Sequence, residues 1–184
     1  MTNIYRQICT SFWTDPKVDD DFTPEDKYFY LYLMTNPHTN LCGCYELSVK
    51  QMARETGYNS DAVERLIKRM QEFHKVIEYD NETREVLIHN WHKYNWSNSS
   101  KVTIGLAKTI EYIKSDKFKE IIANKILERD MVSIPYAYRI KLEKYGTYSV
   151  SVSVSVSDNN NNNNYITIEE QEAAVKRALE KLGG

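Results

Sequence analysis

Glycine and cysteine are scarce in this chain, which has six glycines and three cysteines among its 184 residues. The glycines are scattered and form neither a G-x-x-x-x-G-K-S/T loop nor a G-x-G-x-x-G turn, so the motifs that hold nucleotide phosphates are missing. The cysteines are odd in number, and the spacing of Cys42 and Cys44 is not that of a zinc-ligand pair. We therefore expect Cys42 and Cys44 to be buried and reduced, with no metal bound.

Long apolar runs are also missing, since no segment approaches the roughly 18 apolar residues that a transmembrane helix needs. The first 30 residues contain Arg6, Lys17 and three aspartates at 19–21, so they lack the apolar region of a signal peptide. No nucleophile elbow or catalytic triad is recognisable, and we expect the three aspartates to form a solvated turn. The sequence predicts a cytoplasmic protein that is not an enzyme and needs no cofactor.

The net charge of −2 hides an uneven distribution of charged side chains along the chain. Residues 1–100 hold 11 basic and 15 acidic side chains, whereas residues 101–146 hold 10 basic and 6 acidic ones. This distribution argues against strong, purely electrostatic binding of nucleic acid by the first hundred residues alone.

Residues 44–91 have the order of a winged helix, which offers its second helix to a DNA major groove. The predicted order is a strand at 44–47, a helix opened by Ser48, a glycine-containing turn at 55–58, a helix at 60–74 and a hairpin at 76–88. We predict an α+β, mainly helical fold. Its predicted parts are a winged helix-turn-helix domain at 1–98, a helical extension at 99–130, a low-complexity linker at 131–165 and an isolated helix at 166–184.

The candidate DNA contacts are polar and basic side chains of this module. The helix at 60–74 has an apolar stripe centred on Leu66, and its opposite face is polar. In the winged-helix docking geometry the candidate contacts are Lys50, Arg54, Asn59, Ser60, Arg65, Lys68, Arg69, Lys75 and Arg84. A merely solvated helix remains an alternative, because oppositely charged residues four apart stabilise such a helix without any DNA.

A helix predicted at residues 23–34 is apolar or aromatic nearly all round. Thr23 suits the N-cap and Pro24 the first helical position, while Asn36 and Pro37 end the helix. A helix with one buried face would show a single apolar stripe. We therefore expect cover on two sides, either from the aromatic N-terminal segment or from a partner subunit. The candidate self-association residues are Tyr5, Phe12, Trp13, Tyr28 and Tyr32.

Residues 89–96 contain two tryptophans, a tyrosine and two histidines. A stacking platform or a metal site is conceivable there, but aromatic residues usually contribute buried area, so we favour closure of the core. Two amphipathic helices are predicted at about 103–114 and 116–128. Ser-Val alternation at 149–157 followed by six asparagines is typical of a tether.

The segment from Tyr5 to Trp96, about half of the chain, resembles the N-terminal region of phage replisome-organiser proteins. These are relatives of the DnaD-type primosome proteins of low-GC Gram-positive bacteria. The matching stretches are TSFWTD at 10–15, FTPEDK at 22–27, LMTNP at 33–37, GCYELS at 43–48, QMARETG at 51–57 and NWHKY at 90–94. The Tyr-x-x-x-Ile-x-x-Trp motif of the DnaD C-terminal domain is not found, so the resemblance does not extend to that domain.

The resemblance implies a winged-helix domain that self-associates and binds duplex DNA at a replication origin. It also implies a replicative helicase or helicase loader as a further partner, recruited in that family through a C-terminal domain. The sequence thus predicts a replication-initiation protein of a phage, prophage or mobile element. Two alternatives stay open: a winged-helix transcriptional regulator, and an oligomerisation scaffold that does not bind DNA.

Overall fold

The computed structural model describes residues 5–97, 99–130 and 134–146. The part it describes is mainly helical with one small antiparallel sheet of three strands, in agreement with the predicted α+β class. The helices are α1 (Pro24–Thr35), α2 (Val49–Thr56), α3 (Ser60–Lys68), α4 (Trp91–Asn95), α5 (Ser100–Thr109), α6 (Asp116–Asp130) and α7 (Tyr136–Tyr145). The strands are β1 (Cys44–Glu46), β2 (Ile77–Asp80) and β3 (Glu85–Ile88). The part of the predicted linker from residue 147 on and the helix predicted at 166–184 lie outside the described residues.

Side-chain caps define the first three helices. The Thr23 side chain accepts a hydrogen bond from the Asp26 backbone N–H while Asp26 accepts one from the Thr23 backbone, so α1 begins with a capping box. Ser48 caps α2 and Asn59 caps α3 in the same way, each accepting from a backbone N–H in the first turn. The predicted starts of these helices are confirmed.

The end of α3 differs from the regular helix predicted to reach His74. Residues Arg69–Phe73 form a π-helical turn, in which the His74 backbone N–H donates to the Arg69 carbonyl at 3.0 Å. Residues five apart then lie on one side of the helix. As a result Arg69 and His74 both face Asp26 at the start of α1.

The sheet has the strand order β1-β3-β2, so β3 is the central strand. All four residues of β3 are buried, because both faces of the sheet are covered. On one face the Tyr45 hydroxyl donates to the Leu33 carbonyl of α1 at 2.5 Å. On the other face the Glu85 carboxylate accepts from the backbone N–H groups of Lys114 and Ser115, each at 2.8 Å, just before α6.

The helices after residue 99 share one hydrophobic core with the N-terminal part. Buried α6 side chains such as Phe118 and Ile122 belong to the same cluster as Phe29 and Leu33 of α1. Cys42 and Cys44 are also buried, as predicted. Burial raises the pKa of the Cys42 thiol to about 12. Among the residues that the structure describes, no helix is both long and apolar enough to cross a bilayer.

The predicted linker is wrong over α7, which lies between residues 131 and 165. Leu142 is fully buried, and Tyr138 and Tyr145 pack against the core. These three residues follow the i, i+4, i+7 spacing of one helix face, so their burial explains why the segment folds as a helix. Pro135 precedes the helix and suits its start.

The aromatic segment after β3 closes the core, as favoured from the sequence. Trp91 and Trp96 are both buried, and their indole N–H groups donate to the same Leu41 carbonyl, at 3.1 and 2.8 Å. The segment forms the short helix α4 between them. Buried indoles with paired N–H groups are not available as an open stacking platform.

Candidate nucleic-acid interface

The predicted DNA contacts lie on α2, on α3 and the residues that flank it, and on the β2–β3 hairpin. The buried side of α3 carries Val63, Leu66 and Ile67, which leaves its polar side facing solvent. The exposed candidates are Lys50, Arg54, Asn59, Arg65, Lys68, Lys75 and Arg84, whereas Ser60 and Arg69 are partly buried. The structure thus places most of the candidates on accessible surface.

Five of these cations have no carboxylate within 4.0 Å in the described parts of the chain: Lys50, Arg54, Arg65, Lys75 and Arg84. Lys68 is paired with Glu72 at 3.9 Å, but both side chains are mostly exposed. An exposed pair of this kind contributes at most about 1 kcal/mol. A phosphate could therefore approach these cations without disrupting a strong ion pair.

Carboxylates interrupt the cationic surface. Glu64 and Glu72 line a groove of about 290 Å³ between α3 and β2, together with Lys68, Tyr79 and Asn81. Carboxylates there repel phosphates, so non-specific attraction for DNA is limited on this part of the surface.

Arg69 differs from the other candidates because its guanidinium is already engaged. Its Nε donates to Asp26 Oδ1 at 2.6 Å, and its Nη2 donates to Thr23 Oγ1 at 3.3 Å. Glu25 lies 3.7 Å away. Arg69 therefore links the end of α3 to the start of α1, and we leave it out of the interface despite its sequence position.

Asp26 is the centre of a buried polar cluster that the sequence did not reveal. Its carboxylate is buried and also accepts from the backbone N–H and the hydroxyl of Thr23, at 3.0 and 2.7 Å. Burial raises the pKa of Asp26, but the Thr23 and Arg69 hydrogen bonds outweigh burial and hold it below its usual value. His74 Nε2 lies 3.3 Å from Asp26 Oδ2, but the two atoms do not form a hydrogen bond.

Arg84 is presented by a rigid hairpin turn. Asp80 Oδ1 accepts from the backbone N–H groups of Glu82 and Thr83, at 2.9 and 3.1 Å, which fixes the turn. Arg84 itself has a φ of 57°, in the left-handed region that costs energy for a residue with a Cβ. Its carbonyl accepts from the Leu47 backbone N–H at 2.8 Å, which ties this conformation to the start of α2.

The candidate self-association residues are divided between internal packing and exposed surface. The hydroxyls of Tyr28 and Tyr32 donate to the Thr56 carbonyl and the Glu55 carboxylate, at 3.2 and 2.7 Å, so both rings pack on the end of α2. Tyr5 is 81% exposed.

The predicted cover on the second side of α1 comes from the chain itself. The Phe12 and Phe22 rings lie 6.3 and 5.9 Å from the Tyr30 ring. Trp13 stands edge-on to Phe12 and stays 55% exposed. The second side of α1 is therefore covered by residues of the same chain, and the Trp13 ring is not part of that packing.

A cleft of about 190 Å³ lies between the N-terminal segment and α4. Phe12, Phe22, Tyr30 and Trp91 contribute apolar lining, and Tyr94, which also lines it, is 69% exposed. Burial raises the pKa of Tyr30 to about 12, and the nearby Tyr94 and Asp15 contribute smaller effects in the same direction. Trp13 and Tyr94 therefore present exposed aromatic surface beside an apolar cleft.

Comparisons of this chain with protein-family models, with curated proteins and with solved structures find no match.

Proposed function

We propose that this chain is a DNA-binding replication-initiation protein, a replisome organiser of a phage, prophage or mobile element. In this proposal α2, α3 and the β2–β3 hairpin form a winged helix that binds duplex DNA. The observation that carries DNA binding is a set of five exposed cations on α2, on α3 with the turn after it, and on the hairpin. Within the part of the chain that the structure describes, none of the five has a carboxylate within 4.0 Å. The role in replication rests on the resemblance of residues 5–96 to the organiser family.

The proposed contacts follow from where the cations lie. The polar side of α3 enters the major groove, with Asn59 and Ser60 at its start and Arg65 in its middle. Lys50 and Arg54 on α2 are four residues apart, so they lie on one helix face and can contact the same DNA strand. Arg84 on the hairpin turn contacts the backbone to one side of α3.

Arg65→Ala combined with Lys68→Ala is expected to weaken duplex binding about tenfold or more without unfolding the protein. Both side chains are exposed and oppose the buried stripe of α3. The slope of log affinity against log salt should fall by about one unit for each phosphate that the variant no longer neutralises. Fluorescence anisotropy with a labelled duplex over a salt series measures both quantities.

The matched control is Lys101→Ala combined with Lys108→Ala, which removes two exposed positive charges from α5. It should leave the salt slope close to that of the wild-type chain. If the α3 double variant stays folded and keeps the wild-type affinity and slope, α3 is not part of the DNA-binding surface.

We propose self-association through the aromatic surface beside the cleft. Trp13→Ala combined with Tyr94→Ala is expected to weaken the dimer or higher oligomer at least about tenfold, because both rings are more than half exposed. Analytical ultracentrifugation at micromolar concentration measures the shift toward monomer. Tyr112→Ala is the control, because that ring is 83% exposed on another part of the chain. A wild-type chain that is monomeric over this range would contradict the proposal.

A further inference from the structure

Four basic side chains from α4 and α6 lie close together. The His92 ring and the Arg129 guanidinium lie 5.7 and 5.9 Å from the ring centroid of the same residue, Trp96. Burial lowers the pKa of His92, and Lys125, Lys93 and Arg129 lower it further against the opposing influence of Glu128. We refer to His92, Lys93, Lys125 and Arg129 as the α4–α6 cluster.

The α4–α6 cluster lies on the side of the sheet away from α3. Lys117 of α6 is hydrogen-bonded to Glu78 of β2, and Glu85 of β3 holds the chain just before α6. The neighbouring strand residue Tyr79 points to the other face, where its hydroxyl donates to the Leu47 carbonyl at 3.1 Å. The cluster is therefore separate from the interface proposed on α3 and the hairpin.

Lys125 is the most informative member of the cluster. It is partly buried, and no carboxylate lies within 4.0 Å of its ammonium group among the residues the structure describes. Burial of an ammonium group without a partner is unfavourable. Burial lowers the pKa of Lys125, and Lys93 adds to that effect against the opposing influence of Glu128 and Glu78.

Glu128 and Glu78 both act on Lys125, but neither carboxylate lies within 4.0 Å of its ammonium group. Glu78 is already engaged by Lys117 and lies 3.4 Å from His89 Nε2. The Arg129 guanidinium is already engaged, because it donates to the Trp96 carbonyl at 2.8 Å. The helix dipole favours cations near the last turn of α6, but it does not explain Lys93, which lies on α4.

We propose that His92, Lys93 and Lys125 form a second phosphate-binding site, which contacts the DNA backbone on the side of the sheet away from α3. The inference rests on the proposed function for the identity of the ligand as DNA. A phosphate at this site supplies Lys125 with an anion at close range, where the described residues place no carboxylate within 4.0 Å. Lys93 is exposed on α4 and reaches the same anion from the adjacent helix.

The test compares two double variants of the full chain. Lys93→Gln combined with Lys125→Gln removes both charges and keeps much of each apolar stem. Lys101→Gln combined with Lys108→Gln removes two charges from α5 as the control. For a labelled duplex of arbitrary sequence, the first variant should bind about tenfold or more weakly, with a salt slope smaller by about two units. The control should keep the wild-type slope.

A second readout does not depend on DNA. Inorganic pyrophosphate is added while the His92 ring resonance is followed by NMR over a pH series, with His92→Gln used for its assignment among four histidines. Bound anion at the cluster should raise the pKa of His92 toward its ordinary value, because it offsets the neighbouring cations. The effect should disappear in the Lys93→Gln, Lys125→Gln variant.

The outcomes separate this site from the proposed function. Loss of duplex binding in the α3 variant but not in the cluster variant, with no pyrophosphate effect on His92, overturns the second site and leaves the proposed function intact. If the wild-type chain does not bind duplex, the proposed function fails, and a pyrophosphate effect on His92 still supports the phosphate site. An unchanged His92 titration together with an unchanged salt slope in the cluster variant overturns the inference.

Discussion

Gly43→Ala is expected to destabilise the folded state by about 2–5 kcal/mol, far more than the same change at Gly57. Gly43 has a φ of 70°, and a left-handed conformation costs an alanine about 1–2 kcal/mol. A Cβ there would lie 2.2 Å from Cγ of Trp91, so the tryptophan would have to move. Forcing such a shift in a packed core costs about a further 1–3 kcal/mol.

Trp91 has little freedom to accommodate that Cβ. It is only 4% exposed, and its indole N–H is held by the Leu41 carbonyl at 3.1 Å. Gly43 also joins the sheet, since its carbonyl accepts from the Ile88 backbone N–H at 2.9 Å. Movement of either partner therefore disturbs the junction between β1 and β3.

Gly57→Ala is the matched control, because Gly57 has a similar φ of 82° but nothing within 4 Å of the added Cβ. It should cost only the conformational penalty of about 1–2 kcal/mol. Urea unfolding followed by circular dichroism measures both variants. Equal losses at the two glycines would show that contact with Trp91 contributes nothing and that backbone conformation accounts for both.

Local signals predict the first half of the fold well. The Thr23–Pro24 start of α1, the Ser48 cap and the Gly57 turn each depend on the residue type at one position, so the sequence displays them directly. The buried stripe of α3 depends only on the spacing of apolar residues along the chain, so the sequence also predicts it. These features can be predicted without knowing which elements pack against them.

Features that depend on tertiary contacts escape prediction from the sequence. The π-helical turn at Arg69–Phe73 has no distinct composition, and it brings Arg69 to Asp26 across 43 positions of the chain. For this reason an arginine on a polar helix face is predicted as a DNA contact although it binds a buried aspartate. The linker prediction is wrong over α7 because Leu142 becomes a core residue only when the preceding helices provide a surface for it.

The candidate site is predictable only in part for the same reason. The exposure of Arg65 and Arg84 follows from amphipathicity and from a turn, which are local properties. The proximity of Lys93 and Lys125 depends on the tertiary arrangement of α4 and α6, which no sequence pattern fixes. The positive charge of residues 101–146 indicates that this part of the chain carries cations, without showing where they converge.

Asp26→Asn is expected to lower the free energy of unfolding by about 2–4 kcal/mol at pH 7. In the wild-type chain Arg69 and Thr23 both donate hydrogen bonds to the Asp26 carboxylate. The asparagine amide replaces one acceptor oxygen by an N–H donor, so one of these two donors would then face another donor. The Arg69 side chain is 37% exposed and can be rehydrated, so the loss is smaller than for a fully buried pair.

The loss should depend on pH in a direction set by the lowered pKa of Asp26. A carboxyl group whose pKa is lower in the folded state stabilises the fold at pH values above its unfolded pKa of about 4. That contribution disappears as the pH falls through the lower pKa of the folded state. The difference between wild type and Asp26→Asn should therefore be present above about pH 5 and shrink below about pH 4.

Chemical denaturation at several pH values, with unfolding followed by tryptophan fluorescence, measures this difference. Glu46→Gln is the matched control, because it makes the same carboxylate-to-amide change in an exposed ion pair with Lys114. An exposed pair contributes at most about 1 kcal/mol, so the control should change little at any pH. A difference for Asp26→Asn that is already small at pH 7, or that stays constant down to about pH 2, would show that the Asp26 carboxylate does not hold α1 and the end of α3 together through its charge.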